Sequence, residues 1–127
     1  SDENPVYYLQ YAHARICSIM RKADEEGKRI ARDANRELLS TEHELDLIKL
    51  LLQFPETIEY CAGSFEIHRL AEYLQEVATA FHKFYHNCRV VSEDEALTQA
   101  RLSLCRATKA VLRNGFSVIG ISAPEKM

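Results

Sequence analysis

The sequence has only four glycines and three prolines among 127 residues, and it has no tryptophan. So few turn-forming residues exclude collagen-like chains and the Pro/Gly-rich type of disordered chain. No apolar run approaches the roughly 20 residues of a membrane-spanning helix, and the polar stretch 1–5 lacks a signal-peptide core. We therefore expect an intracellular, cytoplasmic protein that does not enter a membrane.

The four cysteines are scattered without any Cys-x-x-Cys pair, in apolar surroundings typical of reduced core thiols: Cys17, Cys61, Cys88 and Cys105. A metal site is the sharpest chemical alternative, because His82 and His86 are four residues apart and Cys88 is nearby. That ligand set is incomplete, so we expect no metal. A hydrolase is disfavoured as well, because no nucleophile, base and orienting group form a recognisable motif.

Apolar residues make up 46% of the chain and charged residues 28%, which is ordinary globular composition. The length favours a single domain, residues 1–127. Period-two alternation is not sustained anywhere, and no Asn-Gly or Asp-Gly turn separates β-rich segments. The predicted fold class is therefore all-α, an antiparallel bundle of about five helices.

Capping signals divide the chain into these helices. The first predicted helix runs from Pro5 to Asp24. The second begins at the capping box Thr41–Glu44, and its buried face is predicted to be Leu45, Ile48, Leu51 and Leu52. Three more helices are predicted, from Pro55 to Gly63, from Ser64 to about Cys88, and from a second capping box at Ser92–Glu95 to about Asn114. Gly115 is predicted to end the last helix. Residues 24–40 are predicted to be a charged connection with one short exposed helix, and 116–127 a partly packed tail.

The net charge of −3 argues against a nucleic-acid binder, because neutralising phosphates normally requires a basic surface. The acidic residues are unevenly distributed, however. Residues 1–40 carry seven basic and seven acidic groups, 41–75 carry two and seven, and 76–127 carry seven and five. We expect an anionic partner to meet the two ends of the chain, and the surface around Glu42–Glu72 to face away from it.

The first predicted helix carries two stripes. At about 100° per residue, one face is an ordinary core stripe: Val6, Leu9, His13, Ile16 and Met20. Tyr8, Tyr11 and Arg15 fall on the opposite face. Such residues bind unpaired nucleic-acid loops by stacking, at roughly 1–3 kcal/mol per base, and by the forked donors of arginine. They also dominate protein interfaces, so a helical protein-interaction module without an RNA ligand remains the alternative.

Three segments carry a family resemblance: NPVYYLQYAHARI at 4–16, FHKFYHNCRV at 81–90 and SAPEKM at 122–127. In this order they resemble the anticodon-binding domain of arginine tRNA ligases, which are class I synthetases. The resemblance implies a helical bundle that binds the anticodon loop of arginine tRNA, with the middle cytosine as identity element. It also implies a separate catalytic domain, the bundle's intramolecular partner, that uses ATP and magnesium for aminoacylation. Neither signature of that fold, His-Ile-Gly-His or Lys-Met-Ser-Lys-Ser, occurs here, so we expect no catalytic residue and no cofactor in this chain.

The resemblance also implies which residues meet the loop. It gives such roles to Tyr8, Tyr11, Arg15, Tyr85 and the terminal Met127 with its carboxylate, and weaker roles to Asn4 and Gln10. Periodicity alone predicts that Tyr85 is buried, because it falls within the core stripe of its helix. Met127 can contact a ligand only if the tail folds back onto the bundle. Nothing in the sequence requires a dimer, and we expect a monomer.

Overall fold

The computed structural model describes residues 4–30 and 32–127. These residues form five α-helices, α1 Pro5–Glu25, α2 Glu42–Leu52, α3 Phe54–Ser64, α4 Ile67–Asn87 and α5 Glu95–Ile119, with a short 3-10 helix at Arg36–Leu38. No strand occurs in this part of the chain, so the all-α prediction is confirmed. None of the helices in the described ranges is long and apolar enough to cross a membrane.

Helix α4 lies at the centre of the bundle and packs against the other four helices. Its apolar face is fully buried: Leu70, Leu74, Val77, Phe81 and Phe84. Leu9 and Ile16 of α1 and Leu112 and Phe116 of α5 complete the core around that face. Burying this contiguous apolar surface is the main stabilising contribution to the fold.

The start of α1 and the loop that follows it agree with the sequence. Asn4 caps α1 by accepting hydrogen bonds from the amides of Val6 and Tyr7, and Pro5 occupies the first turn. The predicted short helix in the charged connection is the 3-10 turn at Arg36–Leu38, from which Leu39 enters the core. Ala31, which belongs to the same connection, lies outside the described residues.

Helix α2 has the predicted capping box, but its buried face was predicted only in part: Ile48 and Leu51 are partly buried against the core. Thr41 and Glu44 exchange the two capping hydrogen bonds. Leu45 and Leu52 are 42% and 74% exposed, whereas Glu44 and Leu47 are fully buried. The helix turns Glu44 inward because this carboxylate also pairs with Arg101 of α5, at 2.8 Å.

The junction between α3 and α4 also differs from the prediction. Gly63 lies inside α3, which ends at Ser64, and Phe65 adopts the left-handed conformation that ends the helix, with φ 59°. Ser64 does not cap α4, because its hydroxyl donates back to the Tyr60 carbonyl, at 2.8 Å. Glu66 precedes α4 without a side-chain capping bond.

Both predicted ends of α5 were wrong. Asp94, rather than Ser92, caps the helix by accepting from the amide of Leu97. Gly115 does not end it: the helix continues to Ile119 and ends at Gly120, whose φ is 81°. A Cβ atom at Gly115 would lie 2.6 Å from Cδ2 of Leu74, so this glycine permits the close approach of α4 and α5.

Candidate nucleic-acid interface

Helix α1 packs against α4 on one side and α5 on the other, and this decides which of its residues remain accessible. Leu9, His13 and Ile16 of the predicted core stripe are buried, but Val6 is 42% exposed because it lies at the open first turn. The position of Tyr8 opposite the core stripe predicted a ring that faces solvent. In the structure the ring does not face solvent freely. It packs on the core, and its hydroxyl lies 3.0 Å from the hydroxyl of Thr79 on α4.

His82 of α4 lies beneath this tyrosine face. Its ring centroid is 5.5 Å from that of Tyr8, 5.9 Å from that of Tyr11 and 5.7 Å from that of Phe81. Its Nδ1 atom is buried and has no hydrogen-bond partner among the described residues. Burial, together with the nearby charge of Arg15, lowers the pKa of His82 to about 4. The imidazole is therefore neutral near pH 7 and acts as an aromatic support for the two tyrosines.

Arg15 joins α1 to the end of α4 through stacked side chains. Its Cζ atom lies 4.2 Å from the ring centroid of Tyr85 and 5.8 Å from that of Tyr11. Tyr85 in turn stacks on Phe81, with 6.2 Å between ring centroids. Tyr85 is therefore half-buried, with one face on the core and the other on the guanidinium. Periodicity predicted the first of these contacts.

The C-terminal tail folds back along α1 and is held mainly through its backbone. The Gln10 amide donates to the carbonyl and the hydroxyl of Ser122, at 3.1 and 3.0 Å. Nδ1 of His13 donates to the Pro124 carbonyl at 2.9 Å, and Arg21 donates to the Glu125 carbonyl at 3.2 Å. These bonds bring the chain end beside α1, where Met127 is 56% exposed.

These elements enclose an open groove of about 540 Å³ between α1, the end of α4 and the tail. Four of the residues singled out in the sequence line it: Tyr11, Arg15, Tyr85 and Met127. Tyr8, Asn4 and Gln10 do not, because Tyr8 packs on Thr79 and His82, Asn4 caps α1, and Gln10 holds the tail. The structure thus separates residues that line the groove from residues that support it.

The charges around the groove are mostly positive. Arg15, Arg21, Lys22 and Lys126 line it, and the only acidic side chain among its lining residues is Glu125. A second groove, between α2 and α4, is lined by the acidic Asp46, Glu72 and Glu76. The acidic middle of the sequence therefore lies on a different side of the bundle from the tyrosine groove.

The alternative metal site of the sequence does not form around His82. Its ring is packed among Tyr8, Tyr11 and Phe81, while the thiol of Cys88 lies 3.5 Å from the Thr41 hydroxyl. In the part of the chain that the structure describes, no group of three histidine, cysteine or carboxylate side chains is arranged to hold a metal ion.

The sequence model of the family described as the DALR anticodon binding domain matches residues 9–127. This chain belongs to the DALR anticodon binding domain family. Among curated relatives of the domain, the arginine–tRNA ligase of Symbiobacterium thermophilum is 50% identical over 129 residues, covering 100% of this chain and 23% of the relative. That of Geobacter metallireducens is 53% identical over 127 residues, covering 98% and 23%. The DALR domain thus spans about a quarter of the length of the curated relatives it matches.

Solved structures give the same relationship. The arginyl-tRNA synthetase of Thermus thermophilus superposes with a TM-score of 0.84 at 34% identity, covering 100% of this chain and 22% of that one. The enzyme of Plasmodium falciparum superposes with a TM-score of 0.75 at 31% identity, covering 95% and 21%. The helical arrangement of this DALR domain is therefore that of a segment of arginyl-tRNA synthetases.

Sequence reasoning missed three parts of the groove. His82 was interpreted as a metal ligand or as a capped or partly buried residue, and its ring contacts with Tyr8 and Tyr11 were not predicted. Arg21 and Lys22 lie in the last turns of α1 and carry no motif, so no signal distinguished them from ordinary surface charges. Their importance depends on the tail, whose position along α1 no local pattern specifies.

Proposed function

We propose that this DALR domain binds the anticodon loop of arginine tRNA, as the C-terminal domain of an arginine–tRNA ligase. One observation carries the proposal: Tyr11, Arg15, Tyr85 and Met127, which come from three distant segments of the chain, line one positively charged groove. Unpaired RNA bases are recognised by stacking on aromatic and guanidinium planes and by hydrogen bonds to their exposed edges. The groove offers both kinds of surface.

The residues in and beneath the groove have different roles in the proposed RNA binding. Tyr11 is 38% exposed, so its ring is available for a base to stack on. The Arg15 guanidinium lies over the Tyr85 ring, with Cζ 4.2 Å from the ring centroid, and its forked donors suit a phosphate or a base edge. His82 packs against Tyr11, and Tyr8 packs against His82 in turn. The tail brings the Met127 side chain to the edge of the groove, where backbone groups of the tail can read the middle cytosine.

The groove residues do not account for the catalytic activity of the full-length ligase. We infer that ATP and magnesium act in a separate catalytic domain, which would attach arginine to the tRNA. The residues described here offer neither a group of three metal-ligating side chains nor a nucleotide-binding signature. We therefore assign no step of amino-acid activation to this chain's own residues, which bind and orient the RNA.

A second surface suits contact with that catalytic domain. An apolar groove of about 880 Å³ runs between α2 and α5, and Leu45, Leu52 and Val111 line it. Leu52 is 74% exposed, which is unusual for a leucine beside an apolar groove. Leu52→Glu is expected to lower the thermal stability of the full-length ligase and to leave that of the 127-residue chain unchanged. An equal effect in both would assign Leu52 to the fold of the domain.

The RNA proposal is tested by amide-shift titration of the 127-residue chain with the anticodon stem-loop of arginine tRNA. A matched titration uses a loop whose middle cytosine is replaced. We expect shifts centred on Tyr11, Arg15, Tyr85 and the tail that are weakened with the altered loop. Loss of one stacked base is worth roughly 1–3 kcal/mol, so Tyr11→Ala should weaken binding about 5- to 150-fold.

Tyr60→Ala is the matched control, because Tyr60 is 51% exposed on α3, away from the groove. It is expected to bind like the wild type. If Tyr60→Ala weakens binding as much as Tyr11→Ala does, the groove is not the binding site. Binding that is absent at low salt, or insensitive to salt, would favour the protein-interaction alternative.

A further inference from the structure

Three basic side chains lie at or beside the groove: Arg21 lines it, and Lys109 and Arg113 of α5 lie outside it. Lys109 and Arg113 are four residues apart on α5, and helical geometry places them within about 60° of Phe116. The Phe116 ring packs against His13 of α1, with 6.1 Å between centroids. This contact turns Lys109 and Arg113 toward the edge where α1, α5 and the tail meet.

Arg21 of α1 reaches the same edge. It donates to the Glu125 carbonyl and lies one turn beyond Cys17, whose thiol is 3.7 Å from Nδ1 of His13. Burial raises the pKa of the Cys17 thiol, and the charges of Lys109, Arg21 and Arg113 oppose that rise. Burial lowers the pKa of His13, and Lys109 and Arg113 lower it further. All three cations therefore lie close enough to act on the Cys17 thiol, and Lys109 and Arg113 act on His13 as well.

None of these three cations forms an ion pair within the described residues. Elsewhere in those ranges, Lys28 pairs with Glu95, Arg29 with Asp24, and Arg101 with Glu44. The nearby acidic residue of the tail, Glu125, meets Arg21 through its backbone carbonyl and not through its carboxylate. The edge thus carries three cations and one nearby carboxylate, that of Glu125, so its charge is positive on balance and favours an external anion.

We propose that Arg21, Lys109 and Arg113 form a phosphate-binding rim that holds the sugar-phosphate backbone of the RNA stem leading into the loop bound by the groove. This inference rests on the proposed function and extends it from loop to stem. A protein recognises an A-form stem mostly through its phosphates and shape, for which flexible cations without aromatic neighbours are suited. The groove has stacking rings for unpaired bases, whereas the rim presents charges alone. The stem of the RNA is continuous with its loop, and the rim likewise adjoins the groove at the tail.

The test is the salt dependence of affinity for the anticodon stem-loop, measured with the 127-residue chain. Each lost phosphate contact is expected to lower the slope of log Kobs against log salt by about 1 and to weaken binding equally for every sequence. The double variant Lys109→Ala/Arg113→Ala should therefore lose about 2 from the slope. Its preference for the middle cytosine should stay at the wild-type ratio.

The matched control is Lys49→Ala/Lys83→Ala, which removes the same charge from exposed positions on α2 and on the side of α4 that lines the acidic groove. It should keep the wild-type slope. A short single-stranded oligonucleotide with the loop sequence should bind the wild type and the rim variant equally, because it lacks the stem. Thermal melts followed by circular dichroism confirm that the variants are folded.

The outcomes separate the two proposals. If the rim variant keeps the wild-type slope while Tyr11→Ala still weakens binding, the rim is wrong and the proposed function stands. If the rim variant loses the same slope with the stemless oligonucleotide, these cations meet loop phosphates and the stem assignment is wrong. A wild-type chain that binds no stem-loop at low salt overturns both.

Discussion

Two arginines show how differently the two sides of this bundle use the same side chain. Arg101, on α5, pairs with the fully buried Glu44 at 2.8 Å and also donates to the Arg89 carbonyl at 2.7 Å. Arg15, on α1, lies on the Tyr85 ring and has no carboxylate partner within the described residues. The first arginine is committed to the fold, and the second has donors free for a ligand.

The same contrast extends to the surroundings of the two arginines. Glu44 accepts from the amides of Ser40 and Thr41 as well as from Arg101, so the polar atoms around it are well hydrogen-bonded. Beneath the groove, His82 leaves a buried nitrogen without a partner among the described residues. The unpartnered nitrogen of His82, which lowers the stability of the fold, therefore lies beneath the groove, where we propose that RNA binds.

The largest expected effect on stability comes from breaking the buried ion pair. Glu44→Ala removes the carboxylate and leaves Arg101 unpaired, with a side chain only 12% exposed. Losing one partner of a buried pair costs about 3–5 kcal/mol, and urea denaturation at pH 7 should show that loss in the free energy of unfolding. Glu59→Ala, at an exposed site on α3, should change it by less than about 0.5 kcal/mol.

The ion pair also gives this prediction a pH dependence. Burial alone would raise the pKa of Glu44, but the hydrogen bonds from Arg101 and Thr41 outweigh burial and hold it below the ordinary 4.5. The stabilisation is therefore complete above pH 4.5 and is lost as the pH falls through the folded-state value. A wild-type chain and a Glu44→Gln variant that lose stability in parallel on acidification would contradict this account.

His82 should make the groove the more acid-sensitive side at milder pH. Its folded pKa of about 4 lies below the ordinary 6.5, so the unfolded chain binds the extra proton between these values. Stability should be complete above pH 6.5 and fall as the pH drops toward 4, by at most about 3 kcal/mol. His82→Phe should reduce this dependence in melts recorded between pH 7 and 4, and His13, whose pKa burial also lowers, should account for part of what is left.

The control for that experiment is His68→Gln, because His68 is exposed at the start of α4 and contacts none of the groove rings. Its pH profile should follow the wild type. If His82→Phe and the wild type lose stability at the same rate, the imidazole does not contribute to the acid sensitivity of the fold.

Two glycines within helices should respond to alanine in opposite directions. Gly115→Ala places a Cβ atom 2.6 Å from Leu74 and should cost about 1–2 kcal/mol after its helix propensity is counted. Gly63→Ala, on exposed α3, meets nothing within 4 Å and should gain about 0.5–1 kcal/mol. Thermal melts of the two variants measure the difference. If the Gly63→Ala variant is less stable than the wild type, the space around position 63 is not open to an added Cβ atom.

Residues 115 and 44 explain why the sequence predicts this fold only in part. Helix existence and class follow from periodicity and composition, and the Asn4 and Thr41 caps follow from local chemistry. Gly115 carries the local signature of a helix stop, but the close approach of Leu74 from another helix gives it a different role. Glu44 has the spacing of a capping residue, and its partner Arg101 lies 57 residues away. Local sequence patterns cannot identify such long-range partners.

The candidate site shows the same limit. Helical spacing and family resemblance both indicate Tyr11 and Arg15, and the resemblance alone indicates Tyr85 and Met127. The structure brings all four to the same groove. Tyr8 has the right spacing, yet it is tied to Thr79, because the face opposite the core stripe of α1 meets α4. The position of the tail depends on hydrogen bonds from Gln10, His13 and Arg21 to its backbone, and backbone acceptors leave no signature in the sequence.

The smallest expected effect on stability completes the comparison of the two arginines. Arg15→Ala removes a cation–π contact with Tyr85 that is worth about 0.5–1 kcal/mol at an exposed site, and it breaks no ion pair within the described residues. Urea denaturation should therefore show a loss below about 1 kcal/mol, whereas stem-loop affinity should fall at least tenfold. Arg101→Ala should show the reverse, with a large loss of stability and unchanged affinity of the folded fraction. If Arg15→Ala unfolds the chain while binding per folded molecule is kept, Arg15 is a structural residue, and the groove loses the side chain that joins its aromatic rings to a phosphate.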